Sequence, residues 1–368
     1  MALLTVNSGS TSVKLALYEA DAAKALTRVA SEQHSGALLD PAAVLRRLAA
    51  RLARAPQVIA HRVVHGGTRF VQPTRIDAEV QAAIEQLSAL APLHNPVALG
   101  WMSAARELWG NETPQVAVFD TAFFAQLPRV AAEYALPARL GLERGVRRYG
   151  FHGLAHEAMW EGWCRLYPRL AAGGRLITLQ LGGGCSMAAI DGGRPVDTSM
   201  GFSPLEGLVM ATRSGDLDPA IVAYLQRELA LNGARVIELL NEESGLAGLA
   251  ASDANPAALL ADPSPQAQFA VELYCYRIRK YIGAYLAVLG GCDGIVFGGG
   301  VGEHVPGVRA RALEGLAWAG IELDADLNEA ARSGDAQIGA AEAPVKLHVV
   351  SADEESVLAR AAAALLSG

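Results

Sequence analysis

The chain has 368 residues, of which 51% are hydrophobic and 19% charged, and carries a net charge of -7. This length exceeds one typical core and predicts two domains, while an acidic balance with no basic run argues against nucleic acid as a partner. Cys164, Cys185, Cys275 and Cys292 form no C-x-x-C pair, and apolar stretches such as 282–291 are too short to span a bilayer. The expectation is a cytoplasmic protein with reduced thiols and no membrane partner.

The chain opens on an apolar run, a turn of hydroxyls and glycine, and an alternating run from Leu3 to Leu17, which predicts a β-hairpin. A polar segment follows. Helices are predicted near Pro41–Ala55, Asp77–Ala89 and Asn95–Leu108, with strands near Gln57–Val64 and over Gln115–Phe119, the latter running into Asp120. Leu176–Ile190 repeats the opening design about 170 residues later, around Gly182, Gly183 and Gly184. Glycine and serine at such tips leave backbone N–H groups open to an anion. Two such hairpins suggest two related domains that grip one phosphorylated ligand.

A loop is read over 197–218, ending at Asp218-Pro219, a cap followed by the first residue of a helix. A long helix is predicted over Pro265–Leu289 with Ser264 as its cap, and Phe269, Leu273, Tyr276, Tyr281 and Leu286 recur at helical spacing. The strand Asp293–Phe297 leads into a glycine-rich loop, Gly298 to His304. A last strand, Val345–Val350, precedes the acids Asp353, Glu354 and Glu355 and an alanine-rich closing helix.

Neither G-x-x-x-x-G-K-[ST] nor G-x-G-x-x-G occurs, and protein-kinase signatures are missing. Phosphate handling without them points to the architecture of actin and the sugar kinases. Specific segments sharpen this: Val6–Lys14, His61–Gly67, Pro92–Pro96, Val118–Phe123, Arg147–Gly153, Asp197–Phe202, Pro204–Leu208 and Thr212–Pro219. In that order, over nearly the whole length, the chain resembles the acetate kinases. It is shorter than expected for them, mainly between Lys14 and His61.

The resemblance implies an α/β fold of two ribonuclease-H-like domains with an interdomain cleft. Residues 1–121 plus about 355–368 would form the acyl-substrate side, and 122–354 the nucleotide-binding side through which a homodimer forms. It implies reversible transfer of the ATP γ-phosphoryl to acetate, giving acetyl phosphate and ADP, with Mg²⁺ (or Mn²⁺) as cofactor. A loose phosphoryl transition state is stabilised by positioning and by cations. Arg62 and Arg213 are the expected clamps, since guanidinium forks match phosphoryl oxygens. By resemblance His152 donates to the transferring group and Asp120 is the catalytic acid. Asn7 and Glu354 stand by the metal, which needs only one or two protein carboxylates. Glu355 reads as an acid answering the helix dipole.

The resemblance further implies an acyl pocket of Val64, Leu93, Phe151 and Pro204. It assigns nucleotide contacts to Ser10, Ser12 and Lys14, to Gly182, Gly183 and Gly184, to Asp253, Ala254 and Asn255, and to Gly299, Gly300, Val301 and Gly302. The pairs His61/His65 and His152/His156 have i, i+4 spacing, but Val63-Val64 and Gly66-Gly67 argue against a zinc helix at the first. Several positions depart from the family. Gly183 stands for an asparagine, Asn255 for an arginine, Phe124 for a histidine and His304 for an asparagine. Propionate or butyrate, a donor other than ATP, and a nucleotide-binding regulator without catalysis are the competing readings. A sugar kinase of the same architecture would need an aspartate base.

Overall fold

The computed structural model describes residues 1–9, 12–21, 25–36, 39–251 and 254–367. The chain divides into two compact units. The first comprises Met1–Ala125, Phe151–Ala158 and Asp353–Gly368; the second comprises Gln126–Gly150 and Met159–Ala352.

The first unit holds β1 (Ala2–Ser8), β2 (Ser12–Ala20), β3 (Leu26–Ser35), β4 (Val58–Val63), β5 (Thr74–Arg75) and β6 (Gln115–Phe119) in the order β3-β2-β1-β4-β6-β5. The β1–β3 meander is antiparallel, and β1, β4 and β6 run parallel. A strand covered on both faces needs an unbroken apolar run, and β1 is buried along its whole length. Leu3, Val58, Ala60 and Val118 pack on the closing helix Glu354–Ser367. Leu4, Val6 and Ile59, pointing the other way by strand alternation, pack on the helices Pro41–Ala49 and Asn95–Trp109.

The second unit holds β7 (Arg175–Leu181), β8 (Cys185–Asp191), β9 (Arg194–Thr198), β10 (Gly294–Gly298), β11 (Ala336–Gln337) and β12 (Lys346–Val349) in the order β11-β12-β10-β7-β8-β9. Counting strands along the chain within each unit, both sheets read third, second, first, fourth, sixth, fifth. The duplication suggested by the two hairpins thus extends to entire sheets, down to the two-residue strands β5 and β11.

Several elements differ from the sequence expectation. The polar segment after the first hairpin is the strand β3, exposed along most of its length, whose charged residues hid its period of two. The first helix stops at Ala49 rather than near Ala55, and a turn follows at Ala50 and Arg51. Part of the loop over 197–218 is the end of β9. The helix Pro265–Leu289 has the expected bounds, and the Ser264 hydroxyl accepts the Ala267 amide. Its buried face, however, is Ala267, Ala270, Val271, Tyr274, Cys275, Ile278, Ile282 and Tyr285, whereas Phe269 and Tyr276 are 55% exposed. The helix is apolar on two sides, so periodicity alone could not choose between them. Gly299–His304 is a short helix, not a loop.

Three histidines of the first unit are buried: His61, His65 and His156. Burial in low dielectric disfavours the imidazolium and pulls their pKa values to about 3, 4 and 3. Unfolded histidine titrates near ~6.5. Between these values the unfolded chain binds more protons than the folded one, so stability is lost as pH falls from about 6.5 toward 4. Urea unfolding followed from pH 7 to pH 4.5 is expected to show this decline. His156→Asn should take up about one proton fewer on unfolding near pH 5.

Candidate active site

The candidate residues of the first unit sit where its parallel strands end. In α/β sheets the carboxyl ends of the strands open into the ligand crevice. Asn7 lies at the end of β1, Arg62 near the end of β4, and Asp120 directly after β6; Arg62 is in register with Val118. Strand pairing therefore brings together residues that are 113 positions apart at most along these three segments (120 − 7 = 113).

The Asp120 carboxylate accepts three hydrogen bonds from Arg62, at 3.2 and 3.1 Å from Nε and 2.6 Å from Nη2. Asp120 is 1% exposed. Arg62 Nη1 also donates to Asn7 Oδ1 at 3.3 Å. Asn7 Nδ2 in turn donates to Glu354 Oε2 and Glu355 Oε1, both at 2.7 Å. Burial pulls the Arg62 pKa down, but Asp120, Glu354 and Glu355 outweigh it and hold the guanidinium firmly charged. Burial raises the Asp120 carboxyl above its usual range, with Arg62 opposing and the Glu354 charge adding to the rise.

Three carboxylates thus face the Arg62 guanidinium, leaving an excess of negative charge. That donor set suits a divalent cation that keeps most of its waters and borrows one or two carboxylates. Among the described residues no cluster of three or more His, Cys, Asp or Glu side chains has the geometry of an all-protein metal cage. Glu355 proves to be more than an acid at a helix end: it is 5% exposed and shares Asn7 with Glu354. The helix-dipole reading of Glu355 took no account of Asn7, which only the fold brings to it.

His152 reaches the same place through the backbone. Its amide hydrogen-bonds to the Asp120 carboxylate. Its φ of 57° is in the left-handed region, uncommon for a residue with a Cβ. The next residue is glycine for a steric reason: a Cβ on Gly153 would overlap the Asp120 carbonyl oxygen and lie 2.8 Å from Phe123 Cβ. Val64 and Phe151 are buried, and the Phe151 ring meets the edge of His65 at 5.6 Å. Leu93 is 55% exposed, so it is not part of that buried apolar group. His65 is fixed by Asn95, whose side chain bonds both its amide and its carbonyl at 3.1 Å. In the first hairpin tip, the Gly9 amide donates to the Ser12 carbonyl at 2.7 Å, and Lys14 lies exposed opposite Asn7. Ser10 lies outside the described residues.

In the second unit two of the corresponding strand ends, those of β7 and β10, carry glycine clusters, and the other candidates lie on the loop after β9 and at the cap of the helix Pro256–Ala261. Gly182, Gly183 and Gly184 link β7 to β8, and the Gly182 amide donates to the Gly184 carbonyl at 3.0 Å. Gly183 is exposed, and nothing stands within 4 Å of where its Cβ would be. Its carbonyl accepts the Ala211 amide at 3.1 Å, which ties the tip to the loop of Arg213. Arg213 donates to the Pro204 carbonyl at 2.8 Å. Burial lowers its pKa, and among the described residues it forms no ion pair. Pro204, half-buried, serves here through its carbonyl. Gly299, Gly300, Val301 and Gly302 form the first turn of the helix that follows β10, where N–H groups lack intrahelical partners. Glu303 accepts one of them, from Gly299, at 3.1 Å. Asn255 caps the helix Pro256–Ala261 by accepting the Ala257 amide at 3.0 Å, and Ala254 precedes it half-buried. Asp253 lies outside the described residues.

Gly153→Ala is expected to shift Asp120 and His152 together. Overpacking of this kind costs roughly 1–3 kcal/mol, and the phosphotransfer rate should fall by more than the change in melting temperature explains. A variant with unchanged stability and rate would show that the close approach is dispensable.

The model of the acetokinase family matches residues 23–360. Acetate kinase from Leifsonia xyli subsp. xyli is 42% identical, over 98% of both chains. Acetate kinase from Clavibacter michiganensis subsp. michiganensis is 47% identical, over 85% of this chain and 79% of its own length. The crystal structure of Porphyromonas gingivalis acetate kinase superposes with a TM-score of 0.88 at 33% identity, over 99% of both chains. A propionate kinase from Francisella tularensis does so with 0.87 at 30%, over 98% of both. The fold is thus α/β, of the two-domain actin and sugar-kinase type, and kinases of this kind generally need a divalent metal. The chain belongs to the acetokinase family and is a phosphotransferase with a carboxyl group as acceptor.

Proposed function

We propose that the protein transfers the γ-phosphoryl group of ATP to acetate, reversibly, forming acetyl phosphate and ADP. The observation that carries this reading is the Arg62–Asp120–Asn7–Glu354 network at the strand ends of the first unit. It supplies a fixed cation for a carboxylate or phosphoryl oxygen, beside acids suited to a metal. A carboxylate acceptor is already ionised and needs no base. Asp120 is therefore free to act electrostatically. Arg62 binds and orients the acceptor, His152 donates to the transferring group, and Arg213 neutralises its charge.

Mg²⁺ is the proposed metal, with Mn²⁺ as substitute; Asp120, Glu354 and Asn7 would hold it, and when bound it offsets charge on the phosphoryl oxygens. Val64 and Phe151 are the proposed boundary of the acyl group. A pocket that rejects one methylene discriminates by only about 1–3 kcal/mol. The likeness to a propionate kinase supports propionate as a slower second acceptor. Ser12, Lys14, the glycines of the second hairpin, Ala254, Asn255 and the Gly299–Gly302 turn are assigned to the nucleotide. Exposed Phe269, Tyr276 and Val288 on the long helix support a homodimer through the second unit. The free thiols of all four cysteines support a cytoplasmic setting.

Acyl phosphate formation, acetyl phosphate from acetate and propionyl phosphate from propionate, measured against ATP, GTP and pyrophosphate tests the proposal. Asp120→Asn should keep its fold by circular dichroism and lose on the order of 10²-fold in kcat. Absence of turnover with every pair would defeat the reading. Gly183→Asn has open space to enter, and one added hydrogen bond of about 0.5–1.5 kcal/mol should lower KM for ATP roughly 2–10-fold. An unchanged KM would exclude the hairpin tip from nucleotide contact.

A further inference from the structure

The loop that carries Pro204 and leads to Arg213 has little regular structure of its own. Residues 199–215 are turns and bends between β9 and the helix Ala220–Glu228. Yet Arg213 must hold its guanidinium still, because a misplacement of about 1 Å can cost 10²-fold in rate. Its hydrogen bond goes to the Pro204 carbonyl, so the position of that carbonyl fixes the position of the charge.

Two residues on from Pro204, Glu206 is tied to both of its neighbours in space. Its Oε1 accepts Arg148 Nη2 at 2.7 Å, and its Oε2 accepts the Tyr134 hydroxyl in a short bond. Those partners reach back to the start of the loop. The Tyr134 oxygen accepts the Phe202 amide at 2.8 Å, and Arg148 Nη1 donates to the Thr198 and Ser199 carbonyls at 3.3 Å. Tyr149 adds a backbone bond to Gly201 at 3.0 Å. A Cβ on Gly201 would overlap the Glu206 carboxylate and the Tyr134 oxygen, so any larger residue there would displace both. The far end is closed by Asp216, which accepts the Gly207 amide at 2.9 Å and the Tyr281 hydroxyl at 2.7 Å.

We propose that Glu206, acting with Tyr134 and Arg148, is a positioning residue for Arg213: it locks the 198–206 loop so that the Pro204 carbonyl aims the guanidinium. This rests on the role given to Arg213 above. The same arrangement keeps acidic charge off Arg213. Glu206 is committed to a cation and a phenol, and Asp216 to an amide and a phenol. Half-buried Arg213 is left without an ion pair among the described residues, ready for an anion.

The experiment is a double-mutant cycle on the full chain, read as kcat and KM for acetyl phosphate formation. Tyr134→Phe removes one hydroxyl and should lower kcat about 10-fold with KM values within about twofold of wild type. In an Arg213→Ala background the same change should alter kcat by less than about twofold, because the residue it positions is gone. Glu206→Gln gives the same pattern and replaces Tyr134→Phe if that variant does not fold. A full 10-fold loss persisting without Arg213, or wild-type kcat in both single variants, overturns the positioning role while leaving the proposed function in place. Full activity of Arg213→Ala alone overturns the role of Arg213, and the proposal with it.

Discussion

The guanidinium of Arg62 lies half-buried beside more negative charge than it can neutralise, and the first unit is built around that imbalance. Asp120 takes its fork; Asn7 links it to Glu354 and Glu355 at the other end of the unit's sequence. A buried ion pair contributes little net stability, but removing one partner leaves a charge stranded, at a cost of roughly 3–5 kcal/mol. The arrangement is therefore better understood as poised electrostatics than as a structural brace. What it gains in function is a fixed field near acids that a divalent cation would satisfy.

The second unit repeats the sheet and changes the chemistry. Both units place candidate residues at the carboxyl ends of the first and fourth strands of the common order, and the first unit adds the sixth, β6. The first fills those ends with charged side chains. The second fills them with bare backbone, from Gly182–Gly184 and the Gly299–Gly302 turn, while Arg213, which among the described residues forms no ion pair, comes from the loop after β9. A single topology thus presents polar and charged side chains in one copy and bare amides in the other.

Much of this was legible in the sequence. The two hairpins, the buried strand Gln115–Phe119 and the Ser264-capped helix follow from apolar runs, small residues at tips and a cap, which are local signals. The resemblance to the acetate kinases identified Arg62, Asp120 and Arg213 as candidates. What stayed hidden depends on contacts between distant segments. The exposed strand β3 lacks an apolar face to betray it. The helix Pro265–Leu289 carries apolar residues on two sides, and only packing chooses which one is buried. The part played by Glu206 depends on Tyr134, which is 72 residues away and carries no signal of its own.

The outermost strands have a consequence for solution behaviour. An unpaired strand edge invites another chain to add to it, the first step toward aggregation. The edge of the first sheet, β3, is studded with Arg28, Glu32 and His34, and Glu32 is engaged by Arg51. The edge of the second, β9, contains Pro195, which offers no N–H to a recruit. Each unit therefore blunts its open margin by a different means, one with charge and one with an imino acid. Variants that neutralise the first or replace the second would be the ones to clump during expression.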